Sequence, residues 1–268
     1  MALSRSSRSK GMWETVRTII YAVAIAVVVR TFLYEPFNIP SGSMKPTLLV
    51  GDYLFVSKFA YGYSRHSLPL SPPIGSGRLF GDLPERGDVA VFKLPSNNRT
   101  DYIKRIVGLP GDQIQVREGV LYVNDQEVER AAIEDFIDDG PAARRSCGSF
   151  LQPDSASAQA VKRYEETMPT FGSGDEAVTY TVLDECPDGN GDFDNTDVFT
   201  VPEDHVFAMG DNRDNSLDSR AKVGYVPIEN LVGRAEIIFF STNGSARIWE
   251  FWKWPITIRY GRLLNLID

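Results

Sequence analysis

The chain has 268 residues, enough for one large domain or two modest ones with a substantial core. Hydrophobic residues make up 43% and charged residues 24%, which excludes a disordered or fibrous chain. The net charge of -8 falls mostly on residues 134–197, with fifteen acidic and four basic side chains, and a chain this acidic without a basic stripe argues against nucleic acid as its main partner.

Residues 1–35 have the opposite sign, with five basic and two acidic side chains. Arg5, Arg8, Lys10 and Arg17 precede an unbroken apolar run of eleven residues from Ile19 to Val29. Thr31, Phe32, Leu33 and Tyr34 extend it if Arg30 snorkels to an interface. A cleavable signal needs a small-x-small site just after the run, whereas Ala24-Ile25-Ala26 lies inside it. The reading is therefore an uncleaved transmembrane anchor over 16–35 behind a cytoplasmic tail over 1–15, the alternative being a buried core helix. Basic residues before the span place the N-terminus in the cytoplasm and the body outside.

Strand and turn signals follow. Pro36 and Pro40 force Phe37-Asn38-Ile39 to be extended. Gly-Asp pairs at Gly51-Asp52, Gly87-Asp88, Gly111-Asp112 and Gly210-Asp211 punctuate short runs such as Tyr53–Val56, Val89–Phe92, Ile114–Val116 and Val120–Val123, as in an all-β body. Residues 64–84, rich in Pro, Gly and Ser, read as a long hairpin loop or ribbon. The acidic stretch 134–197 reads as an insertion carrying Cys147 and Cys186, which could form a disulfide outside the cytoplasm or remain two thiols. Two cysteines cannot make a Cys-rich metal site, and His66 and His205 form no metal-spaced cluster.

Three segments carry candidate chemistry. Ile39-Pro40-Ser41-Gly42-Ser43-Met44-Lys45-Pro46-Thr47 holds two hydroxyls in a stiff turn close to the anchor, although Ser-Gly-Ser alone is usually a plain loop. In Asp101 to Asp112, strand alternation puts Tyr102, Lys104 and Ile106 on one face. A lysine between such neighbours is poorly solvated, which lowers its pKa and makes it a usable general base, unless it simply snorkels out. Met209 to Arg220 is dense in charged and hydrogen-bonding residues of both signs, either a site-locking loop or a surface turn.

Together these segments resemble bacterial type I signal peptidases. Pro-Ser-Gly-Ser-Met, Arg86-Gly87-Asp88-Val89-Ala90-Val91-Phe92, Tyr-Ile-Lys-Arg and Gly-Asp-Asn-Arg-Asp-Asn-Ser-x-Asp-Ser-Arg occur in the family's order, from the anchor to about Phe240, with the acidic insertion matching loosely. The resemblance implies a Ser-Lys dyad with Ser43 as nucleophile and Lys104 as general base. It implies an oxyanion hole from the Ser43 N–H and the Ser41 hydroxyl, and Ser216 orienting Lys104. Arg105, Asp211, Asp218 and Arg220 would be supporting ion-pair residues, and no metal or cofactor is needed. Cleavage after small-x-small sites implies shallow apolar pockets. Matching positions nominate Phe37, Ile39, Met44, Leu48, Val91, Tyr102 and Ile103, each of which could equally be core.

The expected fold is mainly β: an N-terminal transmembrane helix, then an antiparallel β catalytic body (36–111 and 206–268) with a second β-rich region inserted over 112–205. The expected partners are exported preproteins with signal peptides and the lipid bilayer, with no nucleic acid and no oligomer required. The expected location is the bacterial inner membrane, single-pass, with the body on the periplasmic face. Trp249, Trp252 and Trp254, flanked by charge, suit the bilayer interface or a packed core. Two rivals stand beside this reading. A self-cleaving repressor-type Ser-Lys peptidase would need a DNA-binding domain where the anchor stands. A non-enzymatic anchored binding protein would have a normally titrating Lys104.

Overall fold

A computed structural model describes residues 6–68, 71, 75, 77–138, 159–171, 177–186, 191–245 and 250–267. Helix α1 covers Ser6–Phe32. Its segment Met12–Phe32 has 21 residues, a mean hydropathy of 1.7 and only 6% of its most apolar window buried. At 1.5 Å per residue that segment is about 31 Å long, the thickness of a bilayer's hydrocarbon core. Ile19, Val23, Ile25 and Val27 are all more than half exposed, so among the described residues little protein surface covers the middle of this apolar helix.

The chain turns directly into strands: β1 Tyr34–Asn38, β2 Asp52–Ser57, β3 Val89–Lys93 and β4 Asp101–Gly108. A middle set comprises β5 Gln113–Arg117, β6 Val120–Val123, β7 Gln126–Glu127, β8 Glu129–Asp138, β9 Gln159–Thr167, β10 Thr179–Asp184 and β11 Phe199–Thr200. The last strands are β12 His205–Met209, β13 Val226–Pro227, β14 Leu231–Ser241 and β15 Asn265–Leu266, with a short helix α2 over Trp254–Thr257. All named pairings are antiparallel. The main sheet runs β1-β2-β14-β3-β4-β12-β13, with β15 on β14. The middle set makes two smaller sheets, β10-β9-β8 and β11-β5-β6-β7.

The expected strands lie where the Gly-Asp turns end. Gly87, at φ +99, turns the chain into β3, and its N–H donates to Ile106 O at 2.8 Å. The run Val89-Ala90-Val91-Phe92 has no polar alternation because both faces of β3 are covered. Val89 and Val91 join Met44, Leu48 and Ile39 in one cluster; Ala90 and Phe92 join Ile106 and Ala208 in another. A third cluster, including Val107, Phe207 and Met209 with Ile114, Leu121 and Val182, carries the small sheets on the main one. Each fully buried Val, Leu, Ile or Phe in these clusters contributes about 1.5–3 kcal/mol.

Of the long hairpin loop or ribbon expected over 64–84, the described residues have the loop form: an antiparallel bridge between Tyr63 and Leu79 closes it, with a short turn at Arg65–Ser67. Arg78 donates to the carbonyls of Tyr61, Gly62, Ile228 and Leu231 there, tying the loop to the body. Cys186 is buried and disulfide-bonded, while Cys147 lies outside the described residues. Of the tryptophans, Trp252 is 63% exposed, Trp254 packs its ring 5.9 Å from that of Phe240, and Trp249 lies outside the described residues.

Candidate active site

Ser43 sits in the irregular turn after Pro40, where Lys45 N–H donates to Gly42 O and Leu48 N–H to Met44 O. Met44 and Leu48, both fully buried, pin this turn to the core. Lys104 lies on β4, opposite Ala90 of β3, on the face it shares with Tyr102 and Ile106. The small Ala90 leaves it room. Lys104 is 3% exposed, and its Nζ donates to Ser43 Oγ at 2.6 Å and to Ile103 O at 2.8 Å. Its Nζ also lies 5.5 Å from the centroid of the Tyr102 ring. Loss of hydration pulls the Lys104 pKa down to about 8, with Arg220 acting in the same direction and the charges of Asp218 and Asp211 opposing.

The loop after β12 backs this pair. Asn212 N–H donates to Ser43 O at 3.1 Å, and Asn212 Nδ2 reaches Gly42 O at 3.3 Å. Arg105 grips Asp211 through Nε and Nη2, both at 2.9 Å, and donates from Nη1 to Gly87 O at 2.6 Å. Thr47, four residues past Ser43, donates to Asp211 Oδ2 at 2.6 Å. Arg220 holds Asp218 at 3.0 and 2.8 Å and bonds Arg213 O, while Gly210 N–H donates to Asp218 Oδ2. The Arg220 guanidinium keeps the Asp218 carboxyl below the usual carboxylate range despite full burial.

Six of the expected site residues thus meet: Ser43, Lys104, and the pairs Arg105–Asp211 and Asp218–Arg220 beneath them. Ser41 is exposed, its Oγ 3.5 Å from Ser43 Oγ. Ser216 is buried beside Gly210, and no hydrogen bond joins it to Lys104; its hydroxyl lacks a partner of good geometry. The pocket candidates divide. Ile39, Met44, Leu48 and Val91 are buried in one cluster, whereas Phe37 and Ile103 pack on it with surface still open. Tyr102 stands on the other face of β4, its ring 6.2 Å from that of Phe92.

Sequence reasoning missed Thr47, Asn212 and the buried pair of Arg213 with Glu166 on β9. Asn212 and Arg213 lay inside a loop already singled out for its polar density, but Glu166 is far away in sequence and had no local signal. Neither histidine joins the site: His66 accepts from Arg65 Nε, and His205 Nδ1 bonds Glu203 O. Among the described residues there is no cluster of His, Cys, Asp or Glu able to hold a metal ion.

The family described as signal peptidase, peptidase S26, matches residues 12–240. The signal peptidase I of Rickettsia conorii (strain ATCC VR-613 / Malish 7) is 38% identical over 247 residues, 90% of this chain and 84% of that protein. That of Rickettsia akari (strain Hartford) is 40% identical over 228 residues, 83% and 77%. That of Rickettsia typhi (strain ATCC VR-144 / Wilmington) is 37% identical over 248 residues, 91% and 86%. The matched region contains both Ser43 and Lys104, and with that family model and these relatives the chain belongs to the signal peptidase family, peptidase S26, and is a serine peptidase.

Proposed function

We propose that this signal peptidase cleaves exported preproteins after small-x-small sites, with Ser43 as nucleophile and Lys104 as general base. The observation that carries the reading is the 2.6 Å contact between Ser43 Oγ and a lysine that burial has brought to about 8. With that value about one Lys104 in ten is neutral at pH 7. Neutral Nζ takes the Ser43 proton as Oγ bonds to the scissile carbonyl carbon. The carbonyl oxygen becomes an oxyanion, received by the Ser43 N–H and the Ser41 hydroxyl. The C–N bond then breaks and the Lys104 ammonium returns its proton to the leaving amine. Neutral Lys104 next takes a proton from water as its oxygen attacks the acyl carbon; the C–Oγ bond then breaks and the Lys104 ammonium returns the proton to Ser43 Oγ. The likeness to signal peptidases supports Ser216 as the residue that hydrogen-bonds Lys104 and fixes its orientation.

An extended substrate laid along the strands presents alternate side chains to the same wall. Phe37 and Ile103 form the surface it touches, over a floor of Ile39, Met44, Leu48 and Val91; Tyr102 flanks Lys104 instead. The main sheet is built from segments either side of 113–200, which supports reading 36–111 and 206–268 as the catalytic body and 112–205 as an insertion. α1 anchors the enzyme with its N-terminus in the cytoplasm and its body on the periplasmic face of the inner membrane, with Trp252 at the interface. Purified enzyme in detergent and a preprotein bearing an Ala-x-Ala site provide the test, with sequencing of the new N-terminus. Cleavage at the predicted bond by the unaltered protein, and by neither Ser43→Ala nor Lys104→Ala, is expected. Full activity of Lys104→Ala would remove Lys104 from the mechanism.

A further inference from the structure

A cleft of about 810 Å³ opens where α1 meets the body; neither Ser43 nor Lys104 lines it, and it shares Phe37 with the wall assigned above to the substrate. Its cations come from four separate segments: Arg30 at the end of α1, Lys58 after β2, Arg65 in the short turn, and Lys93 and Arg99 on either side of the β3–β4 connection. Two carboxylates, Glu35 and Asp101, also line it, so the lining has three positive charges in excess, on a chain whose net charge is -8.

Both acids are already engaged. Glu35 receives Arg30 and Lys58, each at 2.8 Å, and Asp101 receives Lys93 at 2.7 Å. Arg65 is paired with Glu229 at 3.0 Å. Arg99 is exposed and has no ion pair among the described residues. Lys58 is anchored from behind, donating to Ser67 O at 2.6 Å, so its charge is fixed beneath the opening. Val27, one turn before Arg30, forms part of the same wall. One side of the cleft is therefore the last turn of an apolar helix, and the other sets the cations among Phe37, Leu68 and Val232 of the body. That combination matches the boundary between acyl chains and headgroups, where lipid phosphates lie.

We propose that this cleft is a phospholipid site, taking the phosphate of an anionic headgroup between Arg99, Arg65 and Arg30 with its acyl chain along α1. The proposal rests on the reading of α1 as a membrane anchor. The shared chemistry is a phosphate, which a lipid or a soluble anion could supply, and the membrane-facing wall favours the lipid.

The test uses the full chain in phosphatidylcholine vesicles with or without phosphatidylglycerol carrying a photoreactive headgroup. Flotation with phosphatidylcholine vesicles alone reports the anchor independently of the cleft, so failure of the two readings is distinguishable. Photolabelling is expected in peptides containing Arg65 and Arg99. Each of Arg65→Gln and Arg99→Gln is expected to weaken labelling about fivefold, as a cation near an anionic surface contributes, while Arg99→Lys retains it. Cleavage of a short soluble peptide in detergent, unchanged in these variants, verifies folding. Equal labelling of unaltered protein and variants would overturn the proposal. Loss of labelling on adding inorganic phosphate, at concentrations where ionic strength alone has no effect, would show a soluble-anion site instead and overturn the lipid assignment.

Discussion

Replacing Lys104 by Met isolates the cost of burying its charge. A lysine held at about 8 instead of 10.5 costs about 3 kcal/mol of folding stability whenever both the folded and unfolded chains carry it protonated, at about 1.4 kcal/mol per pKa unit. Because the folded pKa is the lower one, the unfolded chain binds more protons between about 8 and 10.5. Stability from this group therefore rises with pH across that window, and the penalty is complete below it. Lys104→Met keeps most of the stem, removes the charge, and loses the bonds to Ser43 Oγ and Ile103 O, a loss that does not vary with pH. The assay is urea unfolding of detergent-solubilised protein, followed by fluorescence at several pH values. The stability difference between the unaltered protein and Lys104→Met should change by about 3 kcal/mol in favour of the unaltered protein from pH 7 to pH 11, and kcat/KM of the unaltered enzyme should rise with a midpoint near the same lysine value. A difference that stays flat across this range would refute the claim that desolvation lowers the Lys104 pKa, and with it the physical basis for Lys104 as a base.

Further predictions concern the surroundings of the pair. Ser41→Ala should reduce kcat about 100-fold with little change in KM, as loss of one oxyanion donor does; an equal fall in affinity with kcat intact would place Ser41 in substrate binding. Gly210→Ala adds a methyl group that collides with Ser216 and the Ser43 carbonyl, and should cost about 1–3 kcal/mol of stability in urea titration together with most of the activity. His205→Ala should leave the pH–activity profile in place, since its ring bonds only Glu203 O; a shifted profile would indicate a base other than lysine.

The main elements were legible where chain-local chemistry governs them. Gly-Asp turns delimited β2, β3 and β5, and Gly119 delimited β6, because a glycine at positive φ turns the chain whatever packs around it. Period two placed Tyr102, Lys104 and Ile106 on one face, and the structure keeps them there. Partner choice was not legible. Nothing in the loop from Gly210 to Arg220 tells which carboxylate takes which guanidinium, and Arg213 reaches across to Glu166 on a strand of the acidic insertion. The same limit explains the pocket residues: Met44 and Phe37 are both apolar and close to Ser43 in sequence, but only tertiary packing decides which is buried and which faces outward. Residues 64–84 were legible as a loop from their Pro, Gly and Ser content, and the antiparallel bridge between Tyr63 and Leu79 closes it as a hairpin, but the cation that ties it down, Arg78, had no local signal.

The buried ions around the pair have a consequence of their own. Arg105 and Asp211 are each about 1% exposed, and the pair bridges β4, the Ser43 turn through Thr47 and the loop after β12. Such a pair gains little net stability, because the cost of dehydrating two charges offsets their attraction. Removing one partner is different: Asp211→Asn leaves a guanidinium buried without its counter-charge and should cost about 3–5 kcal/mol. Replacing both, as in Arg105→Met with Asp211→Leu, should restore most of that stability while leaving Ser43 poorly held, since Thr47 then loses its acceptor and the loop that carries Asn212 to the Ser43 carbonyl loses its clamp. Stability measured by urea and kcat measured on a preprotein should therefore separate in the double variant. If stability and activity recovered together, the ion pair would be only a packing element. Activity staying low in a stable protein would mean that its charges hold the nucleophile's turn in register with Lys104, a geometric task for which apolar side chains offer no directional bonds.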